Sequence, residues 1–292
     1  NCEGFHNTAT GFWVSDAALL WIAGGEYAYN GIRGNPGTGY GVTASSNVGK
    51  VVSIGAYYHN NYRKGLDSHG CGGAIVLNNI FENNVVYHLA FPNWNVPAGV
   101  SDAVFSIKGN NFSNGADAVG RAFLQDAHTQ IVANGFADSP LYQGGVCVIT
   151  DTLGNGSRQN KISRIEFHNN TVTAHYNGFS FAAYSGVGST YAFEFWVRDD
   201  GEVSWKGNKV NLVGLKFPAA SPSSTAAIPI SVPFGTWLLD GDEIKWPENA
   251  EYANTSYAVI TPISITWTSN IATISLPAGH GWQDGEIVAI AG

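Results

Sequence analysis

The chain has 292 residues, with 14 Lys and Arg against 22 Asp and Glu, which gives a net charge of −8. Charged residues make up only 12% of the sequence, too few for the exposed faces of a mainly helical protein. An acidic chain without clustered Lys and Arg also lacks the surface that binds nucleic-acid phosphates. The hydrophobic fraction of 44% is ample for a core and excludes a disordered chain.

The ends of the sequence and its cysteines give three further expectations. No apolar run approaches the roughly 20 residues that a bilayer-spanning helix needs, so membrane insertion is not expected. The sequence starts at Asn1 with neither a signal peptide nor an initiator Met, and we expect it to be a fragment of a longer protein. Cys2, Cys71 and Cys147 lie far apart, which favours buried free thiols over a disulfide scaffold.

Two types of short apolar segment alternate along the chain. Segments of the first type start at Phe12, Ile32, Leu66, Leu89, Phe123, Val146 and Phe179. A segment of the second type follows each of them, and these start at Leu20, Val52, Ile75, Phe105, Ile131, Ile165 and Val203. Strand-length segments at an irregular period of 20 to 38 residues predict an all-β chain, folded as a right-handed parallel β-helix. A propeller would need about four strands per blade and a steadier period.

Many of the second segments run into asparagine turns, which lie at Asn78-Asn79, Asn110-Asn111, Asn134, Asn169-Asn170 and Asn208. Asparagine tolerates the left-handed backbone conformation of a sharp corner. Its amide can also pair with the asparagine of the next coil of the solenoid. We therefore expect an asparagine ladder that includes Asn79, Asn111 and Asn170.

The segments from Asn61 to Gly70 and from Ile75 to Asn79 resemble the central domain of phage tailspike depolymerases and related pectate-lyase-like β-helix proteins. The resemblance extends over about residues 5–215. It implies a virion-associated enzyme that binds and cleaves a bacterial surface glycan (capsule, lipopolysaccharide or exopolysaccharide) by hydrolysis or β-elimination. It also implies an extracellular homotrimer on the phage tail, folded in the host cytoplasm. A non-catalytic glycan-binding tail adhesin and a secreted bacterial pectate-lyase-like enzyme are the alternatives.

The repeat divides the chain into three regions. Residues 1–214 form the predicted β-helix, which would bind and cleave the glycan. Residues 215–227 lose the repeat and are rich in Ser, Pro and Ala, which is typical of a linker. Residues 228–292 contain alternating strands joined by Gly turns and predict a small C-terminal β region. This region resembles modules of phage spikes, which implies trimerisation or an accessory glycan contact; a simple packing extension is the alternative.

The connections between paired segments alternate between long and short. The long connections span residues 34–46, 92–102, 151–161 and 182–197. Short connections belong to the units that start at Phe12, Leu66 and Phe123. Long loops on a rigid scaffold usually carry function. We expect them to wall a trough above the Leu66 and Phe123 units, a shape that suits an extended polymer.

The acidic and histidine residues of these two short units are the candidate catalytic groups. Strand alternation directs Asp67 and His69 outward into the trough. The Phe123 unit adds Asp126, which would lie roughly 10 Å away, two coils along the axis. Inverting glycosidases place two carboxyls about 6.5 to 9.5 Å apart, so Asp67 and Asp126 are the predicted acid and base, with Glu82 as a substitute. A lyase would instead use a base such as His69, a Lys or a Tyr, and a cation such as Arg33 or Arg63 that neutralises a uronate carboxylate.

Cations and rings near this trough complete the site. Flat C–H faces of sugars stack on aromatic rings, which favours Trp94 in its long loop and a neighbouring tyrosine. The predicted substrate-binding residues are Arg33, Arg63, Lys64, Tyr58, His88, Trp94 and His128. No cofactor motif occurs, and an Asp-x-His pair without a third ligand does not predict a metal site. The structural alternative is that Asp67 and His69 form an ordinary surface ion pair or cap a turn.

Overall fold

The structure is a computed structural model. It describes residues 3–35, 37–131, 133–134, 145–151, 158–175 and 193–213, and then the strand segments 230–231, 236–240, 243–245, 264–268 and 271–275. In this described part, parallel strands form three sheets, and each coil of the chain adds one strand to each sheet in turn. The prediction of a right-handed parallel β-helix is confirmed.

The three sheets run the length of the solenoid. Sheet 1 contains β1 (Glu3–Phe5), β4 (Glu26–Ala28), β7 (Tyr57–His59), β10 (Ile80–Glu82), β13 (Asn111–Asn114), β16 (Thr171–His175), β19 (Lys209–Val213) and β22 (Glu243–Lys245). Sheet 2 contains β2 (Thr10–Ser15), β5 (Tyr40–Ser46), β8 (Lys64–Ser68), β11 (Tyr87–Phe91), β14 (Gly145–Ile149), β17 (Phe193–Phe195) and β20 (Ile230–Ser231). Sheet 3 contains β3 (Leu19–Ala23), β6 (Lys50–Ile54), β9 (Gly73–Leu77), β12 (Ala103–Lys108), β15 (Ile162–His168), β18 (Glu202–Lys206) and β21 (Thr236–Asp240).

The sheets continue beyond residue 214, because β20, β21 and β22 pair with the strands of the preceding coil. The domain boundary predicted at 214 therefore does not coincide with the end of the sheets. Residues 215–227 lie outside the described residues. Strands β23 (Ser264–Thr268) and β24 (Ile271–Ser275) form an antiparallel pair in the predicted C-terminal region.

The unit predicted from Phe123 and Ile131 is wrong, because these residues belong to helix α1 (Ala118–Ile131), which lies between β13 and β14. Asp117 caps the helix: its Oδ1 accepts a hydrogen bond from the Gly120 amide at 2.7 Å. The buried side chains of α1 recur every three or four residues, as helical periodicity requires. They pack on the outer face of sheet 2 in a cluster that contains Val85, Val86, Tyr87, Ala90, Leu124, Ala127, Ile131 and Val148.

The Ile32 segment is also not a strand of the solenoid. Ile32 lies in a turn and forms only an isolated bridge with Asn35, and the sheet 2 strand of that coil is β5, which begins at Tyr40. The predicted long connection at 34–46 therefore contains a strand.

Aromatic side chains fill the interior against sheet 1. Tyr27, Tyr58, Phe81 and Phe112 occupy equivalent positions in successive coils. Their ring centroids lie 5.2, 4.9 and 5.0 Å apart, close to the spacing between neighbouring strands. Tyr58, predicted to bind substrate, is thus completely buried, and its hydroxyl pairs with Ser53 Oγ at 2.8 Å. That prediction is wrong, because an external glycan cannot contact the interior stack.

An asparagine ladder lies where sheet 3 turns into sheet 1. Each Nδ2 donates to the Oδ1 of the next coil, at 3.1 Å from Asn79 to Asn110, 3.0 Å from Asn110 to Asn170 and 3.1 Å from Asn170 to Asn208. The residue before each ladder position has a positive φ, and these residues are Asn78, Gly109, Asn169 and Gly207. The predicted member Asn111 is wrong by one position, because Gly109 takes the left-handed conformation and moves Asn110 into the ladder.

A second ladder, not predicted, lies at the other end of the sheet 1 strands. Here the Nδ2-to-Oδ1 distances are 3.0 Å from Asn7 to Asn30, 2.9 Å from Asn30 to Asn61 and 2.8 Å from Asn61 to Asn84. The preceding residues again have positive φ, at His6, Tyr29, Asn60 and Asn83. The second ladder follows β1, β4, β7 and β10, and the first ladder begins before β10, so β10 has a ladder asparagine on both sides.

We expect Asn110→Leu to lower the free energy of unfolding by on the order of 3 kcal/mol, because buried donors and acceptors lose their partners. Asn110 Oδ1 accepts from the backbone and side chain of Asn79, and its Nδ2 donates to Val76 O. Asn111→Leu is the matched control, since this side chain is exposed, and it should change stability by less than about 0.5 kcal/mol. Equal effects in chemical denaturation would contradict the ladder assignment.

Candidate functional site

Strand β8 presents Lys64 and Asp67 on the outer face of sheet 2. Between them Leu66 packs in the core, and Gly65 faces the same way, since a Cβ there would lie 2.6 Å from His88 O and 3.0 Å from the Phe81 ring. Because Gly65 and Leu66 both face inward, the residues on either side of them, Lys64 and Asp67, lie on the same outer face. The side chains of Lys64 and Asp67 can therefore meet, which simple alternation did not predict.

Asp67 is the centre of a buried polar network. Its Oδ1 accepts a hydrogen bond from Lys64 Nζ at 2.6 Å, and its Oδ2 accepts one from Thr43 Oγ1 at 2.7 Å. His69 Nε2 lies 3.1 Å from the same Oδ2. Asp67 has 0% of its surface exposed and Lys64 has 1%. Asp67 points outward from the sheet, as predicted, but it is covered and cannot contact a polymer directly.

Burial and charge set the protonation of this network. Burial raises the pKa of the Asp67 carboxyl, but the Lys64 ammonium, His69 and the Thr43 hydroxyl outweigh it, so the net pKa is lowered. Burial lowers the pKa of Lys64 to about 8, against the attraction of Asp67. Burial also lowers the pKa of His69. At neutral pH we therefore expect a Lys64–Asp67 ion pair beside a neutral imidazole.

Aromatic rings enclose the network. The His69 ring stacks on Trp94 with centroids 4.8 Å apart and an interplanar angle of 15°. Tyr40 meets the His69 ring edge-on at 5.9 Å, and the Arg63 guanidinium lies 4.9 Å from the Tyr40 centroid. The His69 side chain is 16% exposed, so it is the part of the Lys64–Asp67–His69 network that solvent reaches. The structure thus brings five predicted residues together: Arg63, Lys64, Asp67, His69 and Trp94.

The Trp94 loop between β11 and β12 is anchored beside the network. The Asn95 amide donates to His69 O at 2.8 Å, and Gln159 Nε2 donates to Asn93 O at 2.7 Å. Of the other predicted long connections, 151–161 and 182–197 lie largely outside the described residues.

Tyr40 and Thr43 are site residues that sequence reasoning missed. They occupy the positions of Lys64 and Asp67 one coil earlier, as the pairings of β5 with β8 show. A signal was present, since Gly41 follows Tyr40 as Gly65 follows Lys64. The predicted segment begins at Ile32 instead of Tyr40, so the correspondence between Gly41 and Gly65 does not appear in the predicted repeat.

Asp126 does not belong to this network. It lies on α1, where it forms a solvent-accessible ion pair with Arg33. Tyr62 lies close enough to both charges for them to influence its pKa, and its ring packs on Phe123 at 5.5 Å. His128 is also in α1, and its side chain lies outside the described part of the structure. The carboxyl pair expected from two strands is lost because one of the two segments is a helix.

Glu82 lies on the outer face of sheet 1, away from the sheet 2 face that carries Asp67. Tyr57 donates its hydroxyl to Glu82 Oε2, and burial with this contact raises the pKa of Tyr57. The neighbouring His59 stacks on Tyr57 at 4.1 Å and contacts Glu26 through Nε2 at 2.7 Å. Glu82 is therefore part of a separate surface network and not the substitute acid beside Asp67.

His88, predicted to bind substrate, faces the interior, so that prediction is wrong. It follows the pattern of β8, because His88 and Leu89 take the two consecutive inward positions of Gly65 and Leu66. Its Nδ1 accepts from Asn84 Nδ2 at 3.1 Å, and burial lowers its pKa to about 3.

The buried His88 should make stability fall under mild acid. Its pKa is about 3 in the folded state against 6.5 for an ordinary histidine. Between these values the unfolded chain binds a proton that the folded chain does not, so stability decreases as pH falls below 6.5. The contribution of His88 to this loss should be roughly 2 kcal/mol at pH 5.

His88→Val is the test variant, because Val146 occupies the corresponding inward position one coil later. Denaturation at pH 7 and pH 5 should show a smaller pH effect in His88→Val than in wild type. An identical pH effect in both proteins would contradict the assignment.

No family model, no curated protein and no solved structure matches this chain. No helix among the described residues is long and apolar enough to cross a membrane. In the same part of the chain, no group of three or more His, Cys, Asp and Glu side chains is arranged to hold a metal ion. Cys71 and Cys147 are buried free thiols, and Cys2 lies outside the described residues.

Proposed function

We propose that this protein is a virion-associated polysaccharide depolymerase that binds and cleaves a bacterial surface glycan, with His69 as the proton-transferring group. The observation that carries the proposal is the buried Lys64–Asp67 ion pair beneath the His69–Trp94 stack. Removing two charges from water is unfavourable by several kcal/mol per ion, and apolar residues would pack such a surface at least as well. Perturbed ionisable groups of this kind cluster at functional sites.

The arrangement suits one base better than two carboxyls. The Asp67 carboxylate beside Nε2 favours a proton on that nitrogen, which leaves Nδ1 free to accept one. A neutral imidazole can then remove the proton next to a uronate carboxylate. The C–H electron pair forms a carbon–carbon double bond, and the glycosidic oxygen leaves from the adjacent carbon and takes a proton from water. Hydrolysis by Asp67 and Asp126 is less well supported, since Asp67 is buried and Asp126 pairs with Arg33 on α1. Trp94 would hold a sugar ring beside the base.

A glycan-binding tail adhesin is the second candidate. The observation that favours it is the dispersal of Asp67, Glu82 and Asp126 over a buried network, a different sheet and a helix. The Trp94 ring alone could support binding without cleavage.

Incubation with a panel of capsular polysaccharides, lipopolysaccharides and exopolysaccharides tests the proposal. Shorter products with new ultraviolet absorbance from an unsaturated sugar would support elimination, and shorter products without it would support hydrolysis. Retention of an uncleaved polymer would favour the adhesin. A panel in which no polymer is retained or shortened would overturn the proposed function.

We expect the protein to assemble as a homotrimer, since its charge-poor surface leaves apolar area for contacts between subunits. Exposed apolar side chains include Ile80, Val104 and Val119. Light scattering should give about three times the 31.0 kDa mass of one chain. A single-chain mass would contradict this expectation.

A further inference from the structure

A second tryptophan lies on the outer face of sheet 2 near the network. Trp13 in β2 is 58% exposed, which is unusual for so large an aromatic side chain. It pairs in register with Thr43, and Thr43 pairs with Asp67. The three residues form one outward row in successive coils, so Trp13 lies about 10 Å before Asp67 along the solenoid axis.

Trp13 also lies toward the same edge of sheet 2 as His69. Its Nε1 donates to the Oγ of Ser15, the last residue of β2, at 3.3 Å, so the indole lies toward the carboxyl end of that strand. His69 follows the carboxyl end of β8, and Trp94 stacks on it there. Because parallel strands end at a common edge, two tryptophans flank this edge, one on each side of the β5 strand.

We propose that Trp13 is a second stacking platform for the glycan, an inference that rests on the function proposed above. The polymer then runs along the solenoid axis across the carboxyl edge of sheet 2, from the Trp94–His69 stack to Trp13. Trp13 lies two coils before His69, and Trp94 follows β11 one coil further on, so the two platforms are roughly 10 to 15 Å apart along the axis and suit separate sugar rings of one extended chain. The ligand class is a pyranose polymer with flat apolar ring faces.

Trp13→Ala and Trp21→Ala form a matched pair of variants. Trp21 is 59% exposed and belongs to the same first coil, but it lies on sheet 3 and pairs with Val52. The probe is the polysaccharide that the wild-type protein retains or shortens in the panel described above. Trp13→Ala should weaken its binding by about 10-fold, whereas Trp21→Ala should change binding by less than about twofold.

Trp13→Phe keeps an aromatic ring and should restore most of the binding, which separates stacking from a folding defect. Equal binding by wild type and Trp13→Ala would overturn the inference and leave the proposed function intact. A change in oligomer mass in Trp13→Ala would also overturn it, because Trp13 would then be a subunit contact. If the wild type neither retains nor shortens any polymer, the proposed function fails, and this inference fails with it.

Discussion

Replacing His69 with alanine should slow glycan cleavage by at least about 100-fold, because positioned proton transfer contributes roughly 10² to 10⁴ in rate. His69 is the solvent-reaching member of the Lys64–Asp67–His69 network, whereas Asp67 acts only through it. Because burial lowers the pKa of His69, the base should stay neutral, and activity should persist, into mildly acidic solution. Initial rates measured across pH would show this profile.

Asp126→Asn is the matched control for His69→Ala. Asp126 pairs with Arg33 on the solvent-accessible side of α1, so its amide variant should cleave at close to the wild-type rate. The reverse outcome, with Asp126→Asn inactive and His69→Ala active, would show that the Asp67 network is not the catalytic centre.

Replacing Asp67 with alanine should lower the free energy of unfolding by about 3 to 5 kcal/mol, because it leaves the Lys64 ammonium buried without a counter-charge. Lys64→Met should have a similar effect, since it leaves the carboxylate unpaired. The double variant Lys64→Met with Asp67→Ala should lose less stability than the two single variants together, because no charge remains buried. Denaturant unfolding of the four proteins gives the coupling between the two sites.

The pH dependence of these variants provides a further check. Lys64 has a pKa of about 8 in the folded state against 10.5 in the unfolded state, so its contribution to stability rises with pH between these values. Asp67 has a lowered pKa, so its contribution is present above about 3.8 and is lost in stronger acid. In Asp67→Ala the deficit should shrink as pH rises toward about 8, because Lys64 without its partner discharges at a lower pH than in the wild type. A deficit that does not change with pH would contradict a buried-charge origin.

The sequence predicted the solenoid because most of its paired segments are genuine strands of sheets 2 and 3. It failed at Phe123, where the capping residue Asp117 and the three-to-four-residue spacing of apolar side chains indicate a helix. The apolar residues Phe123 and Ile131 are compatible both with two strands and with one helix. Tertiary packing decides between them, since α1 covers apolar side chains on sheet 2 that would otherwise face water.

The candidate site was predicted in part. Lys64, Asp67 and His69 are close in sequence, and they lie in the segment that resembles phage tailspike depolymerases. Their burial could not be predicted, because the Tyr40 and Trp94 rings that enclose them come from other coils. The inward placement of His88 depends on two consecutive inward residues, a local irregularity that a strict two-residue alternation cannot show.

Helix α1 has a consequence for how this architecture can diversify. The chain leaves the solenoid after β13 and returns at β14, yet β13 still pairs with β10, and β14 with β11. An insertion of this size at a corner therefore leaves the stacking order of the sheets undisturbed. Inserted segments at such corners can therefore change while the strands of the scaffold stay the same. An insertion at the corner of α1 must still cover the apolar side chains around Ala90 and Val148.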